Sequence, residues 1–298
     1  MSARAGSGRL AALPLLALGL ALAAPSGAAA EVGLLIESGL PGTAPRRLAA
    51  PEGVRVYSYA SALRGDPIQE GRLLAGLEGT DRIIVVGPQA ARWAAQRLDK
   101  ALVHFAGGAA SVPSADLVGR GWTGSVGFGV EQILDFARKA DWRRVGVAYT
   151  PAFAALLPAL RAAARPRGVS LSERLVSAPP QLPETVRERM GSCDAFWAFG
   201  GTTLTNPGRF DYIIEASLSG RIPVIAPEAA LVEGGAYLAV APDWDSIIAE
   251  AVALAAGAAL GEPAWPQARL TLSRAPGTLV VNHVLRRKWG PAPKGGGG

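Results

Sequence analysis

The chain has 298 residues, 49% of them hydrophobic and 18% charged, which excludes an intrinsically disordered protein and leaves room for one large domain or two smaller ones. Its net charge of +6 is scattered, with no basic run interleaved with aromatics, so nucleic-acid binding has no specific support. A single cysteine, Cys193, and two histidines, His104 and His283, exclude an intrachain disulfide, a cysteine-cluster metal site, a redox CxxC pair and a zinc site of three histidines.

The chain begins with a short positive segment over 1–9 that carries Arg4 and Arg9. An unbroken apolar run follows over 10–24, too short to span a bilayer comfortably, which takes about 20 residues. Ala28 and Ala30 then supply a small-residue cleavage pattern ahead of Glu31. Charged head, apolar middle and small-residue exit predict a secretory signal peptide cleaved near Ala30. A disulfide-free exported protein of this size fits a bacterial periplasm.

Beyond that segment, short continuous runs rich in β-branched and aromatic residues predict strands over 32–36, 54–59, 82–86, 101–105, 144–149, 195–199, 223–226 and 237–240. Amphipathic stretches between them predict helices over 69–77, 88–98, 129–140, 151–166, 183–190, 206–219 and 244–260, several opened by a proline or a capping residue such as Pro88, Pro151 or Asp243. Strand and helix alternating in this way predict an α/β chain with parallel sheets. The Gly-rich stretch over 107–129 lacks periodicity and predicts a lobe boundary or hinge. The tail over 291–298, built of Pro, Ala, Lys and Gly, is expected to be disordered.

Signatures of catalysis are weak. Gly119, Gly121 and Gly124 match G-x-G-x-x-G, but the preceding 112–118 carries Pro113 and Asp116 and makes a poor strand, so a glycine-rich connection is the better reading. The chain holds neither the P-loop pattern nor the G-x-S-x-G nucleophile elbow. His104 lies in an apolar run and reads as a strand residue, Cys193 as a core thiol, and Asp243 and Asp245 as helix-capping residues around Trp244. The loops after the predicted strands are more suggestive, because ligands of open α/β sheets bind at strand C-terminal ends. These loops are Gly87-Pro88-Gln89, Gly107-Gly108, Tyr149-Thr150, Gly200-Gly201-Thr202-Thr203 and the turn at Glu228. Helix-start N–H groups with Thr150 and Thr202 suit a carboxylate, Glu228 suits an ammonium, and Tyr149 and Trp122 suit an apolar or aromatic group. No paired acids and no nucleophile with a base accompany them, so the set reads as holding a ligand rather than transforming one.

Five motifs in order carry a resemblance. Asp81-Arg82-Ile83-Ile84-Val85-Val86-Gly87-Pro88-Gln89-Ala90, Trp122-Thr123-Gly124, Arg143-Arg144-Val145-Gly146-Val147-Ala148-Tyr149, Arg221-Ile222-Pro223-Val224-Ile225 with Val232-Glu233-Gly234-Gly235-Ala236, and Gly261-Glu262-Pro263 with Leu279-Val280-Val281-Asn282 together resemble an ABC-transporter substrate-binding protein family. That family includes periplasmic binders of aromatic amino acids and has the type I periplasmic-binding-protein fold. The chain departs from it over 38–53, where a long helix is replaced by a short segment with five Gly and Pro residues before its last position, at Gly107-Gly108-Ala109, and at Thr150-Pro151-Ala152-Phe153.

The resemblance implies two Rossmann-like lobes around a central cleft, one from 31–122 with 243–262 and the other from 123–242 with 263–290, with crossings near Trp122, Pro242 and Pro263. It also implies a non-enzymatic, monomeric periplasmic protein that needs no cofactor or metal. A small, amino-acid-like solute is expected between the lobes, touched by Gly87, Pro88, Gln89, Gly107, Gly108, Trp122, Thr123, Tyr149, Thr150, Gly200, Gly201, Thr202, Thr203 and Glu228, and the resemblance implies that the closed form docks on an inner-membrane permease. Two alternatives stand beside it. One is an exported α/β enzyme in which Glu228, Asp243 or His104 converge. The other is a degenerate binding protein, now an accessory module, whose own loops fill the cleft.

Overall fold

The computed structural model describes residues 31–40, 50–60, 66–99, 102–105, 123–126, 129–259, 270–272 and 276–289. Expectations about the signal segment, the linker that holds Gly107, Gly108 and Trp122, and the tail beyond residue 290 fall outside them. The strands are β1 (Val32–Glu37), β2 (Val54–Tyr59), β3 (Arg82–Val86), β4 (Leu102–Phe105), β5 (Thr123–Val126), β6 (Arg144–Tyr149), β7 (Ser170–Leu175), β8 (Ala195–Gly200), β9 (Val224–Ile225), β10 (Leu238–Pro242), β11 (Leu270–Leu272) and β12 (Gly277–Val281). The α-helices are α1 (Pro67–Glu78), α2 (Pro88–Arg97), α3 (Val130–Lys139), α4 (Leu157–Ala164), α5 (Leu182–Met190), α6 (Thr202–Thr205), α7 (Pro207–Gly220), α8 (Ala230–Glu233), α9 (Trp244–Ala259) and α10 (His283–Trp289).

Among the described residues two six-stranded sheets form, ordered β2-β1-β3-β4-β5-β11 and β7-β6-β8-β9-β10-β12. Each repeats the doubly wound order 2-1-3-4-5 and adds one strand at the far edge. The pairings are parallel apart from β10 with β12, which is antiparallel. The central strands are buried on both faces, which is why β3 and β8 read as unbroken apolar runs.

The helix that follows the fifth strand of one sheet packs on the other sheet. After β5, α3 places Val130, Ile133 and Leu134 in a core with Val145 and Trp197 of the second sheet. After β10, α9 places Trp244, Ile247, Ile248 and Ala251 against Val32, Leu34, Ile84 and Val86 of the first. The opposite face of the first sheet is covered by α1 and α2, and that of the second by α5 and α7.

Sheet membership moves two edges of the expected lobe division. Thr123–Val126 and Leu270–Leu272 pair within the first sheet, although the division at Trp122 and Glu262 assigns them to the second lobe. Thr123 is therefore a strand residue, opposite Val103, and not part of a crossover loop.

Element boundaries otherwise follow local chemistry. Asp66 caps α1 by accepting from the N–H groups of Ile68 and Gln69 at 3.0 and 3.1 Å. The single helix expected over 151–166 is broken into a 3₁₀ segment (Pro151–Leu156), α4 and a further 3₁₀ turn (Arg165–Arg167). Pro158 and Pro166 explain this: each lacks an N–H, and Pro158 crowds the carbonyl of Ala154.

Candidate functional site

In a doubly wound sheet the ligand crevice lies where successive connections leave in opposite directions. Here that point falls between β1 and β3 in the first sheet and between β6 and β8 in the second. The two points are built alike. Val32 pairs with Arg82 and Val145 with Ala195, each partner following an aspartate, and five residues further on lie Glu37, the last residue of β1, and Thr150, the first residue after β6. The aspartates do the same work at the opposite edge. Asp81 Oδ2 accepts the N–H of Glu31 at 3.0 Å, and Asp194 Oδ2 accepts those of Arg143 and Arg144 at 2.8 and 2.7 Å.

At the first switch point, Pro88 opens α2 and has no N–H of its own, so the leading amides are those of Gln89 and Ala90. Both donate to Oε2 of Glu37, at 2.6 and 3.2 Å. The carboxylate thus meets the positive end of the helix dipole as well as two donors. Gly87 makes the approach possible. Its φ is +109°, and a Cβ there would lie 2.4 Å from Glu37 Cβ and 2.6 Å from Oε2. The amides expected to take a ligand anion are therefore held by a carboxylate of the chain itself.

At the second switch point, Thr150 is only 6% exposed and its hydroxyl donates to the Gly200 carbonyl at 3.4 Å, the long end of a hydrogen bond. Gly201, with φ +101°, lies under it, and a Cβ there would fall 2.3 Å from Oγ1 and 2.6 Å from Cγ2. Tyr149 pairs with Gly200 after a register shift that inserts one residue, and its side chain is half-buried. Below, Phe153, Phe199 and Trp197 stack edge to face with ring centroids 6.0 and 5.2 Å apart. Thr202 and Thr203 form the first turn of α6, where Gly201 O accepts from Leu204 N at 2.9 Å.

The structure thus brings Gly87-Pro88-Gln89 against Glu37, and Tyr149-Thr150 against Gly200-Gly201. Glu228 is half-buried in the turn after β9, on the C-terminal side of the strand next to β8. Glu37 is the residue that the sequence reading missed. Its signal was an acidic residue ending an otherwise apolar strand, VGLLIE, and followed by Ser-Gly.

Of the residues named for an enzymatic reading, Asp243 has a capping role. Asp243 caps α9, with Oδ2 accepting the Ser246 hydroxyl at 2.8 Å and Oδ1 its N–H at 3.3 Å. The hydroxyl first, and the backbone N–H with it, hold the Asp243 carboxyl below the usual carboxylate range, the reverse of what a general acid requires. Burial pushes the Cys193 thiol up, away from nucleophilic thiolate. His104 lies within β4, opposite Val85.

No protein-family model matches the chain, and no curated protein does. Solved structures do. A conserved domain protein from Vibrio cholerae aligns at 18% identity over 87% of this chain and 94% of its own, with a TM-score of 0.47. An ABC domain from Streptococcus pneumonia, in complex with L-Trp, aligns at 17% over 87% and 94%, with a TM-score of 0.46. The ligand-free, open form of a substrate binding protein with adhesive properties from Clostridium difficile aligns at 13% over the same shares, with a TM-score of 0.48. On its own strand order and its exchanged helices, the chain has the α/β fold of two doubly wound, mostly parallel sheets that characterises type I periplasmic binding proteins.

Proposed function

We propose that the protein is an exported, non-enzymatic solute-binding protein that holds a small amino-acid-like ligand between two lobes and passes it to an ABC-type permease. The observation that carries this reading is the pair of equivalent switch points, one on each sheet, each opening at strand C-terminal ends. The lobes are read as 31–126 with 244–259 and 270–272, and 129–242 with 277–289, and ligand closes them by hinge motion. The apolar run over 10–24 and the small residues before Glu31 support export and a periplasmic location. The protein is read as a monomer that uses no cofactor.

In this reading Thr202 and the helix-start amides of the second sheet take the ligand carboxylate, and Glu228 takes an ammonium. The remaining contacts are Gly87, Pro88, Gln89, Tyr149, Thr150, Gly200, Gly201 and Thr203, with Gly107, Gly108 and Trp122 on the linker. Thr123, the first residue of β5, belongs to the same proposed set. Thermal-shift screening against amino acids and polyols tests the proposal, because a ligand that binds the folded state raises its melting temperature. L-Trp, the ligand of the streptococcal neighbour, is the first probe. One solute family should stabilise the protein, and Thr202→Val or Glu228→Gln should weaken it. A flat screen sinks the reading.

A second reading, an accessory module with a filled cleft, is favoured by one observation: both switch points are already covered from within, by Glu37 and by Thr150. It predicts the flat screen.

A further inference from the structure

We propose that the outer edge of the second sheet, where α3 ends and α10 begins, is a basic docking face for an anionic phospholipid surface. The inference goes beyond the solute-binding reading and does not depend on it. Basic residues that are scattered in the sequence are gathered here by the topology. The parallel strands β6 and β10 begin at this edge, and the antiparallel β12 ends there, with Val281 opposite Leu238. α3 therefore brings Arg138 and Lys139 in its last turn, and α10 brings Arg286, Arg287 and Lys288. Ring contacts tie the two together. Trp142 lies 5.7 Å from Tyr237, which stacks on Trp289 of α10 at 6.1 Å and 5°. All five basic residues are exposed, and none has an ion-pair partner among the described residues.

Nearby acids do not balance this charge. Asp141 is paired with Arg143 at 2.6 Å, Asp194 accepts backbone N–H groups, and Glu233 at the end of α8 stands as a single exposed charge. The same edge of the first sheet has the opposite character. There Glu31, Glu52, Glu78, Asp81 and Asp99 outnumber Arg55, Arg82 and Arg97, and Glu31 pairs with Arg55. An anionic surface thus draws one end of the molecule and repels the other, which orients it. α10 singles out lipid as the anion. Asn282 caps it, accepting the N–H groups of Val284 and Leu285 at 3.1 Å each, and Leu285 is buried. With that face fixed inward, Val284 is left 64% exposed beside the charges, and Trp289 is half-buried at the far end. Basic side chains flanked by an apolar residue and a tryptophan fit the boundary between headgroups and acyl chains, whereas a soluble polyanion makes no use of Val284. The face lies at the strand ends remote from the second switch point, so attachment leaves that crevice open.

Flotation of the purified protein with vesicles tests this, one set made of phosphatidylcholine alone and one with about 30% phosphatidylglycerol. The protein should float with the anionic vesicles and not with the neutral ones at about 0.1 M salt, and should be released at about 1 M, where the screening length falls to about 3 Å. Arg286→Gln with Arg287→Gln, and separately Arg138→Gln with Lys139→Gln, should each weaken binding about tenfold or more. Arg72→Gln with Arg92→Gln removes the same charge from exposed positions on α1 and α2 and should change it little. Val284→Ser should weaken vesicle binding about threefold and leave binding to heparin, a soluble polyanion, unchanged. Melting temperatures check that each variant folds. Equal flotation with neutral and anionic vesicles, or none with either, overturns the proposal, as does an equal loss in the α1 and α2 control. Heparin binding with no effect of Val284→Ser on vesicles assigns the face to a soluble polyanion and overturns the lipid reading. Should the α10 pair not fold, the pair on α3 decides.

Discussion

The two switch points share a plan and differ in what closes them. In the first sheet a carboxylate reaches over Gly87 to two amides of α2. In the second a threonine lies on Gly201, with a single long hydrogen bond to Gly200. One edge is fixed by charge and a helix end, the other by packing and one long neutral hydrogen bond. A repeated backbone plan therefore leaves the chemistry of each edge to one residue at the end of the first strand.

That contrast breaks most sharply at the glycines. Gly87→Ala should cost about 3–4 kcal/mol, combining an unfavourable positive φ with overpacking. Glu37→Ala should not rescue it, since the nearest atom is the Glu37 Cβ, 2.4 Å away, which alanine retains. Gly201→Ala should cost about 2–3 kcal/mol for the same reasons. Here Thr150→Ala should recover part of the loss, because the closest atoms are Oγ1 and Cγ2. Urea midpoints of the four single and two double variants, set out as mutant cycles, check both halves. Equal rescue at the two sites would remove the distinction.

At the opposite edges the second sheet is the more strongly tied. Asp194→Ala removes an acceptor of two backbone N–H groups and should cost about 1–2 kcal/mol, while Asp81→Ala, which loses one, should cost about half as much. Chemical denaturation of the two variants side by side measures the ratio.

The smallest effect lies where the chain passes from one sheet to the other, at Asp243. Its folded-state pKa is below that of the unfolded chain, so its contribution is complete above the ordinary aspartate value of about 3.9 and is lost as pH falls through the lower folded value. Ser246→Ala removes the hydroxyl that is the larger cause of the shift. The variant should be slightly less stable than the wild type at about pH 5, and the two melting temperatures should converge toward about pH 2.

Much of the fold was legible because buried parallel strands are continuous apolar runs. β2, β3 and β6 fall on the expected residues, and most other expected strands and helices lie within two residues of theirs. The strands missed lack that signal for physical reasons. β7 is an edge strand with the mixed sequence SLSERL, and β5 is TGSV in a Gly-rich stretch. β11 and β12 are short additions to sheet margins, outside the repeating order. The candidate site was half legible. Gly and Pro after each strand marked the right loops, since positive φ and helix starts leave a local trace. Glu37 did not show, because its partners lie more than fifty residues away and nothing near it announces a cap.

The exchanged helices also fix the order in which the molecule can be completed. Val32, Leu34, Ile84 and Val86 are covered by Ile247, Ile248 and Ala251, so the first sheet to leave the ribosome has one face bare until the polypeptide is nearly finished. Such distant pairing makes folding slow and leaves the early strands open to chaperone capture. A fragment ending at Val126 should accordingly be insoluble, whereas adding residues 244–259 in trans, or permuting them next to β5, should restore it. Late closure of this kind keeps a chain threadable, the state in which a polypeptide crosses a membrane.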